Sequence, residues 1–254
     1  LLGIEFDQEV DLSAKILSTE DLTKLEAAAD RRIDEHIPAA YLVGSAWFAG
    51  YKFNSDSRAL VPRSPFAELI SSHFAGLLDT DPRRVLDMCT GSGCIGLATA
   101  LTYSQAHVDL VDVSKDALAL AKSNISLHGL ESRVRPLLGD CFEEVTGQYD
   151  LILCNPPYVS ADEYAELPLE YFAEPALGLL SENDGLALPI KLLEQAGQYL
   201  AENGLLIMEV GFSEQALKDA LPELPFLWLE FSYGGSGVFC LTADQLRGFS
   251  VTGK

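Results

Sequence analysis

The chain has 254 residues, is 48% hydrophobic, and sets 17 basic against 38 acidic residues for a formal net charge of −21. That length and apolar content suffice for one sizeable core with a small accessory region, and no apolar run approaches the ~20 residues of a membrane-spanning helix. Phosphate backbones are gripped by Lys and Arg, so the charge argues against nucleic acid and for a basic protein partner.

No secretory leader is legible at the N-terminus. The chain opens on Leu1 rather than Met, and some preceding sequence is expected to be missing. Ser18-Thr19-Glu20-Asp21 predicts a helix start with a capping box, followed by Leu22, Leu25, Ala29 and Ile33 on one face. His36-Ile37-Pro38 ends it. Residues 1–45 therefore form a small helical region, too short to fold alone, that must dock on something. Apolar alternation from Trp47 to Phe53 around Gly50 predicts a hairpin within a linking stretch, residues 46–63. The main domain, 64–254, opens with Ser64-Pro65 capping a helix over residues 66–78, proline taking the first helical position.

Strands are expected near residues 84–88, 107–112, 133–138, 149–154, 204–210, 226–232 and 237–242. Helical patterns fill the early gaps, as over residues 114–128 with Gly129 as a stop. The last two strands lie close enough to form a hairpin through Tyr233-Gly234-Gly235-Ser236-Gly237. Residues 159–188, with Pro168 and Pro175 and no strong period, are too long for a plain connection and are expected to be a lid or substrate-facing segment. Five unpatterned cysteines make no disulfide framework. Cys89, Cys94 and Cys154 are expected to be small buried apolar residues. With four scattered histidines no metal site is expected.

Two motifs carry chemistry. Asp87-Met88-Cys89-Thr90-Gly91-Ser92-Gly93-Cys94 joins a strand to a helix, the first unit of a doubly wound α/β sheet whose ligands sit at the carboxyl ends of the strands. Gly91, Gly93 and Gly96 match a dinucleotide fingerprint by spacing, a weak signal alone, and no triphosphate loop is present. Asp112, about twenty residues on at the next strand end, can accept both ribose hydroxyls. NAD and other adenosine-bearing cofactors remain open at this point. The second motif is Asn155-Pro156-Pro157-Tyr158. It offers an NH2 group on a planar system two acceptors, the Asn155 side-chain oxygen and a backbone carbonyl beside prolines that lack N–H, with an aromatic ring two residues on.

Taken together, the Asp87–Gly93 turn, Asp112, Gly139-Asp140 and Asn155-Pro156-Pro157-Tyr158 resemble class I methyltransferases that use S-adenosylmethionine. The likeness is nearest to the HemK family of N5-glutamine protein methyltransferases. Leu60-Val61-Pro62-Arg63-Ser64-Pro65, Glu174-Pro175-Ala176-Leu177 and Glu209-Val210-Gly211 match further blocks, and Gly234-Gly235-Ser236-Gly237-Val238-Phe239 resembles the branch that modifies the third large-subunit ribosomal protein. The likeness spans roughly residues 38 to 246. It implies a Rossmann-like, seven-stranded mixed sheet ending in an antiparallel pair. It also implies a cytoplasmic enzyme that methylates a glutamine of a basic ribosomal protein and releases S-adenosylhomocysteine. Release-factor glutamine methylation and adenine-N6 methylation of nucleic acid are the alternatives; the second lacks a basic groove.

The implied site follows residue by residue. Asp112 accepts ribose hydroxyls or, alternatively, caps the helix near Ser114. Asp87 sits near the cofactor's amino group or orders the glycine turn. Thr90, Gly91 and Gly93 belong to the cofactor loop, Asp140 faces the adenine amine, and Phe142 packs on adenine or sits in the core. Asn155, Pro156, Pro157 and Tyr158 hold the substrate amide, with Asn155 also beside the cofactor. Glu209 is a buried capping acid or a site residue. Arg63 binds the cofactor carboxylate or braces the helical region through a carboxylate. Trp47 and Phe48 are candidate anchors for the protein partner or, each taken alone, core residues.

Overall fold

Strand-period and helix-period runs alternate from residue 84 onward, and that alternation builds the molecule. The structure is a computed structural model describing residues 17–250, so the first part of the expected helical region lies outside the described residues. Its elements are α1 (Thr19–Asp34), α2 (Ala39–Val43), β1 (Ser45–Phe48), β2 (Tyr51–Asn54), α3 (Phe66–Ser71), β3 (Arg84–Met88), α4 (Cys94–Thr102) and β4 (His107–Asp112). They continue with α5 (Lys115–Leu127), β5 (Val134–Leu138), β6 (Tyr149–Cys154), α6 (Ala161–Ala165) and α7 (Ala187–Ala196), then β7 (Leu200–Glu209), α8 (Glu214–Ala220), β8 (Leu227–Trp228), β9 (Val238–Thr242) and α9 (Ala243–Leu246).

The sheet runs β5-β4-β3-β6-β7-β9-β8. β3 to β7 are parallel, and β9 and β8 complete it antiparallel. This is the expected seven-stranded mixed sheet. β6 shows the pleat at work: Leu151 and Leu153 enter the core beneath α3, α4 and α5, while Ile152 and Cys154 enter the core beneath α7, α8 and α9. Both faces are covered, so β6 and β7 carry the apolar runs 151–154 and 205–208. Pro136 cannot donate to a ladder and falls on edge strand β5, where no donor is needed on the outer side. The order reverses between β3 and β6, which opens a crevice at their carboxyl ends.

α1 carries the expected capping box, with Ser18 and Asp21 each accepting the other's backbone N–H. β1 and β2 form the expected hairpin, and it packs against the main core. Phe48 and Phe53 are buried in the main core. Buried Asn124 of α5 accepts the Asn54 N–H at 2.7 Å and donates to the carbonyls of Asn54 at 3.2 Å and Ser92 at 2.9 Å, tying hairpin to glycine turn. Phe48 is thus unavailable as a partner anchor; Trp47 is half-buried.

Three expected boundaries shift. α3 stops at Ser71 instead of running to residue 78, because His73 and Phe74 take left-handed conformations (φ 55° and 48°) that bury the Phe74 ring beside Tyr103. Tyr103 Oη also donates to the His73 carbonyl at 2.8 Å. Pro65 flanks that helix rather than starting it, and Ser64 Oγ accepts the Phe66 N–H at 3.2 Å. β8 is two residues long; Leu229 adds one further bond to the Val238 carbonyl at 2.8 Å, and the Ser232 and Tyr233 N–H groups beyond it go to the Glu68 carboxylate rather than to a strand. Residues 159–186 fold back over the strand ends as α6 and two 3-10 turns, pinned by a bridge between Val159 and Leu180.

Candidate active site

The carboxyl ends of β3, β4, β6 and β7 open into a cavity of about 1070 Å³, roofed by the linker 58–65 and the folded-back segment. The turn after β3 forms one wall. Cys89, at φ 58°, and Gly91, at φ 56°, both face the cavity in left-handed backbone. Such a conformation is costly for a cysteine and persists where the surroundings over-determine it.

Asp87 does not reach the cavity wall; it lies behind the turn, 1% exposed. Its Oδ2 accepts the Thr90 hydroxyl at 2.5 Å and the Gly96 N–H at 2.9 Å, and Oδ1 has no partner. Burial pushes this carboxyl up to about 7 against the pull of those two hydrogen bonds. Of the two roles expected for Asp87, this geometry is that of ordering the glycine turn. Gly93 also stands behind the wall: a Cβ there would meet Leu97, Leu110 and Ala121 at 3.0–3.3 Å. Its place is to seat the turn on α4 and α5.

Asp112, Thr90, Gly91, Asp140, Asn155, Pro156, Pro157 and Tyr158 do line the cavity. Asp112 Oδ2 accepts the Gly91 N–H and Oδ1 the Ser114 N–H, both at 2.8 Å. The carboxylate therefore locks two strand ends together, while Ser114 itself caps α5 through the Ala117 N–H. Burial raises the Asp112 carboxyl, opposed by the N–H groups of Ser114, Gly91 and Val113. Asp140, at the end of the neighbouring strand β5, sits exposed and paired with Lys191 at 2.6 Å, which lowers its carboxyl below the ordinary range. Phe142 departs from the adenine-packing expectation. It is 3% exposed, stacked on Tyr199 with ring centroids 4.4 Å apart, within the core beneath α7.

At the end of β6 the side-chain amide of Asn155 faces the cavity with no hydrogen-bond partner among the described residues, and Pro156 behind it is buried. Tyr158 is held rather than loose. Its hydroxyl donates to Glu209 Oε1 at 2.9 Å, its carbonyl accepts from Ser213 Oγ at 3.1 Å, and its ring lies so near Gly211 that a Cβ there would come within 2.5 Å. Glu209 Oε2 accepts the Ser64 hydroxyl at 2.5 Å. Burial raises the Glu209 carboxyl, and the Ser64 and Tyr158 hydroxyls and Arg63 oppose it. Glu209 is thus a buried brace that joins β7, the linker and the Asn-Pro-Pro-Tyr segment. Arg63 resolves in the same way. Its Nη1 meets Glu174 Oε1 at 2.7 Å, its guanidinium covers the Tyr171 ring at 4.6 Å, and Glu174 Oε2 accepts the Val61 N–H at 2.9 Å. Phe212 and Tyr233, which motif reasoning passed over, stand at the cavity mouth almost wholly exposed.

A parallel sheet reversed at its centre, closed by an antiparallel pair and carrying this crevice, defines a class I methyltransferase fold. The family model described as "Methyltransferase small domain" matches residues 68–191. At 16% identity, a methyltransferase from Pyrococcus furiosus shares the fold with TM-score 0.55, covering 89% of this chain and 99% of that one. The hMettl16 catalytic domain does so with TM-score 0.61, also at 16% identity, over 92% and 86%.

The chain belongs to the family of ribosomal protein uL3 glutamine methyltransferases. It is 50% identical over 241 residues to the protein of that name from Xanthomonas campestris pv. campestris, spanning 94% of this chain and 77% of the relative. With the one from Francisella tularensis subsp. tularensis it shares 47% identity over 212 residues, 82% of this chain and 68% of the relative.

Proposed function

We propose that this protein transfers a methyl group from S-adenosylmethionine to the side-chain amide nitrogen of a glutamine in ribosomal protein uL3. The observation that carries the reading is the unengaged Asn155 amide at the end of β6, facing the same cavity as Asp112. The names of the relatives supply the protein substrate.

The residues present fit the cofactor. An ionised carboxylate has about four acceptor sites, so Asp112 keeps capacity for ribose hydroxyls beyond the Gly91 and Ser114 N–H groups it already serves. At Gly91 the left-handed backbone and the missing side chain leave the turn open to close approach. Thr90, fixed by Asp87, completes that wall. Asp140, after the adjoining strand end, is placed to accept from the adenine amine beside its ion pair with Lys191. When bound, the cofactor supplies an electrophilic methyl group on a sulfonium.

An amide nitrogen is a poor nucleophile because its lone pair is delocalised into the carbonyl. Asn155 Oδ1 and the Pro156 carbonyl accept its two N–H bonds. They orient the nitrogen for in-line attack and favour its pyramidalisation. Alignment of this kind contributes up to roughly 7–11 kcal/mol in ideal cases, and acceptors aimed at the growing positive charge add to it. The Tyr158 ring, immobilised by Glu209 and Gly211, walls the amide pocket. No general base is required, since the methylated amide loses its extra proton readily.

The test is incubation of the protein with labelled S-adenosylmethionine, purified uL3, release factors and nucleic acid. Label on a glutamine of uL3, located by peptide mass, is the expected result. Label on release factors or nucleic acid with uL3 unlabelled overturns the substrate. Binding of NAD with no binding of S-adenosylmethionine overturns the chemistry.

A further inference from the structure

Phe212 is 91% exposed and Tyr233 is 92% exposed, and both line the mouth of the cavity that holds Asn155. Rings left this bare are commonplace on mobile loops. Here the backbone beneath them is pinned. Phe212 belongs to the 3-10 turn after β7, whose Ser213 N–H is bonded to the Val210 carbonyl at 2.9 Å and whose Ser213 hydroxyl holds the Tyr158 carbonyl. Tyr233 starts the glycine-rich stretch before β9. Its N–H and that of Ser232 are taken by the Glu68 carboxylate at 2.9–3.2 Å, and a Cβ on Gly235 would come within 2.3 Å of Pro65. The two turns are also fixed to each other. The Val210 N–H donates to the Gly237 carbonyl at 2.7 Å, and a Cβ on Gly237 would lie 2.0 Å from the Gly211 carbonyl oxygen.

Two rigidly presented rings that bury nothing of their own chain are pre-organised contact area, and aromatic anchors of that kind dominate binding. The charge around them names the occupant. Glu68, Asp112, Asp140, Glu163, Glu166 and Glu209 line the cavity, against Arg58 and Arg63 among the described residues. Both arginines are already paired, with Asp56 and Glu174. Glu163 and Glu166, from α6 and its end, are exposed. Such a mouth repels a phosphate backbone and attracts cationic side chains.

We infer that Phe212 and Tyr233 are the docking residues for the polypeptide segment that carries the target glutamine. That segment packs on the two rings and places basic side chains toward Glu163 and Glu166. The inference rests on the glutamine-methyltransferase reading and adds to it the surface that selects the substrate.

The experiment compares wild type with Phe212→Ala, Tyr233→Ala, the double variant and Glu163→Gln/Glu166→Gln, using uL3 as methyl acceptor. Leu127→Ala, an exposed apolar side chain on α5 outside the cavity, is the control. Each ring variant is expected to raise KM for uL3 about tenfold, and the double variant more, with kcat within a factor of two. Calorimetric affinity for S-adenosylhomocysteine and the unfolding midpoint should not change. The double Gln variant should raise KM and weaken its salt dependence. Unchanged KM in the double ring variant overturns the inference, as does a loss in kcat alone, which would place the rings in the chemistry. Tight binding of a single-stranded oligoribonucleotide that the ring variants abolish would instead make this a base-stacking surface and also overturn it. Wild-type protein that labels no uL3 overturns the underlying reading, and the docking assignment with it.

Discussion

Asp112 and Asn155 divide the proposed chemistry between cofactor and acceptor. Asp112→Ala should weaken S-adenosylmethionine binding by about 1–3 kcal/mol, the usual result of leaving charged hydrogen bonds unmade. Because Asp112 also holds the Gly91 and Ser114 N–H groups, Asp112→Asn should recover part of the loss; calorimetry reads both. Unchanged affinity would return Asp112 to a purely structural role at the start of α5. Asn155→Ala should keep cofactor affinity and collapse turnover, since only the acceptor amide is assigned to it. A rise confined to KM, with kcat intact, would mean uniform binding rather than alignment in the transition state. Asp87 predicts a pH effect. Its carboxyl is raised from an ordinary 3.8 to about 7, so the folded chain binds that proton more tightly than the unfolded chain. The stabilisation is fully present below the ordinary value and disappears as pH rises through about 7. Denaturant unfolding across that window should show Asp87→Asn flattening the decline; parallel profiles for variant and wild type would refute it. Asp112 and Asn155 were legible because a strand end followed by a turn fixes where a polar side chain points. Phe142 was not, since an apolar residue after a turn reads alike whether it meets adenine or Tyr199. Phe212 and Tyr233 escaped for a related reason: their exposure depends on how two distant loops meet.

The elements of the sheet were legible from period alone, and the misses fall where tertiary contacts outbid local preference. The helical pattern after Phe66 continues past Ser71, but burying Phe74 turns the chain into left-handed backbone. The apolar alternation after residue 226 continues past Trp228, where Leu229 still donates to the Val238 carbonyl, but Glu68 takes the Ser232 and Tyr233 donors further on. Residues 159–188 were readable as a lid or substrate-facing segment, but not in their shape, which is set from outside. Glu174 is 4% exposed and bonds both Arg63 and the Val61 N–H, and Arg32 of α1 pairs with Glu170. Linker and segment therefore close over the cavity as one layer, to which the N-terminal helix is tied through Arg32. Glu174→Ala should destabilise the protein by about 1–3 kcal/mol, mostly through the unpaired Val61 N–H. The partly exposed Arg63 guanidinium adds less because water can solvate it. Limited proteolysis should then cut within residues 159–186 before any strand, and Glu174→Gln should fall between variant and wild type. A wild-type cleavage pattern and an unchanged midpoint would show that Glu174 does not hold the layer.

At the scale of the whole molecule the net charge of −21 acts on encounter rather than on fold. The two levels are separable in kinetics. On the proposed reading, long-range attraction between this chain and a basic acceptor would raise the association rate. It is screened once the Debye length falls below about 10 Å, near 0.1 M salt. The proposed alignment of the amide by Asn155 lies inside a cavity and would be screened far less. Raising ionic strength through that range should therefore lower kcat/KM for uL3 methylation while kcat at saturating uL3 holds steady. The acidic residues of the cavity mouth should carry part of the slope, because Glu163 and Glu166 line that mouth, where the inferred segment would dock. Initial rates at sub-saturating and saturating uL3 over a salt series measure both quantities. A kcat/KM that ignores salt would remove electrostatic steering and leave the aromatic docking surface as the sole source of selectivity. A kcat that falls in parallel would show instead that charge enters the rate-limiting step after the segment has docked.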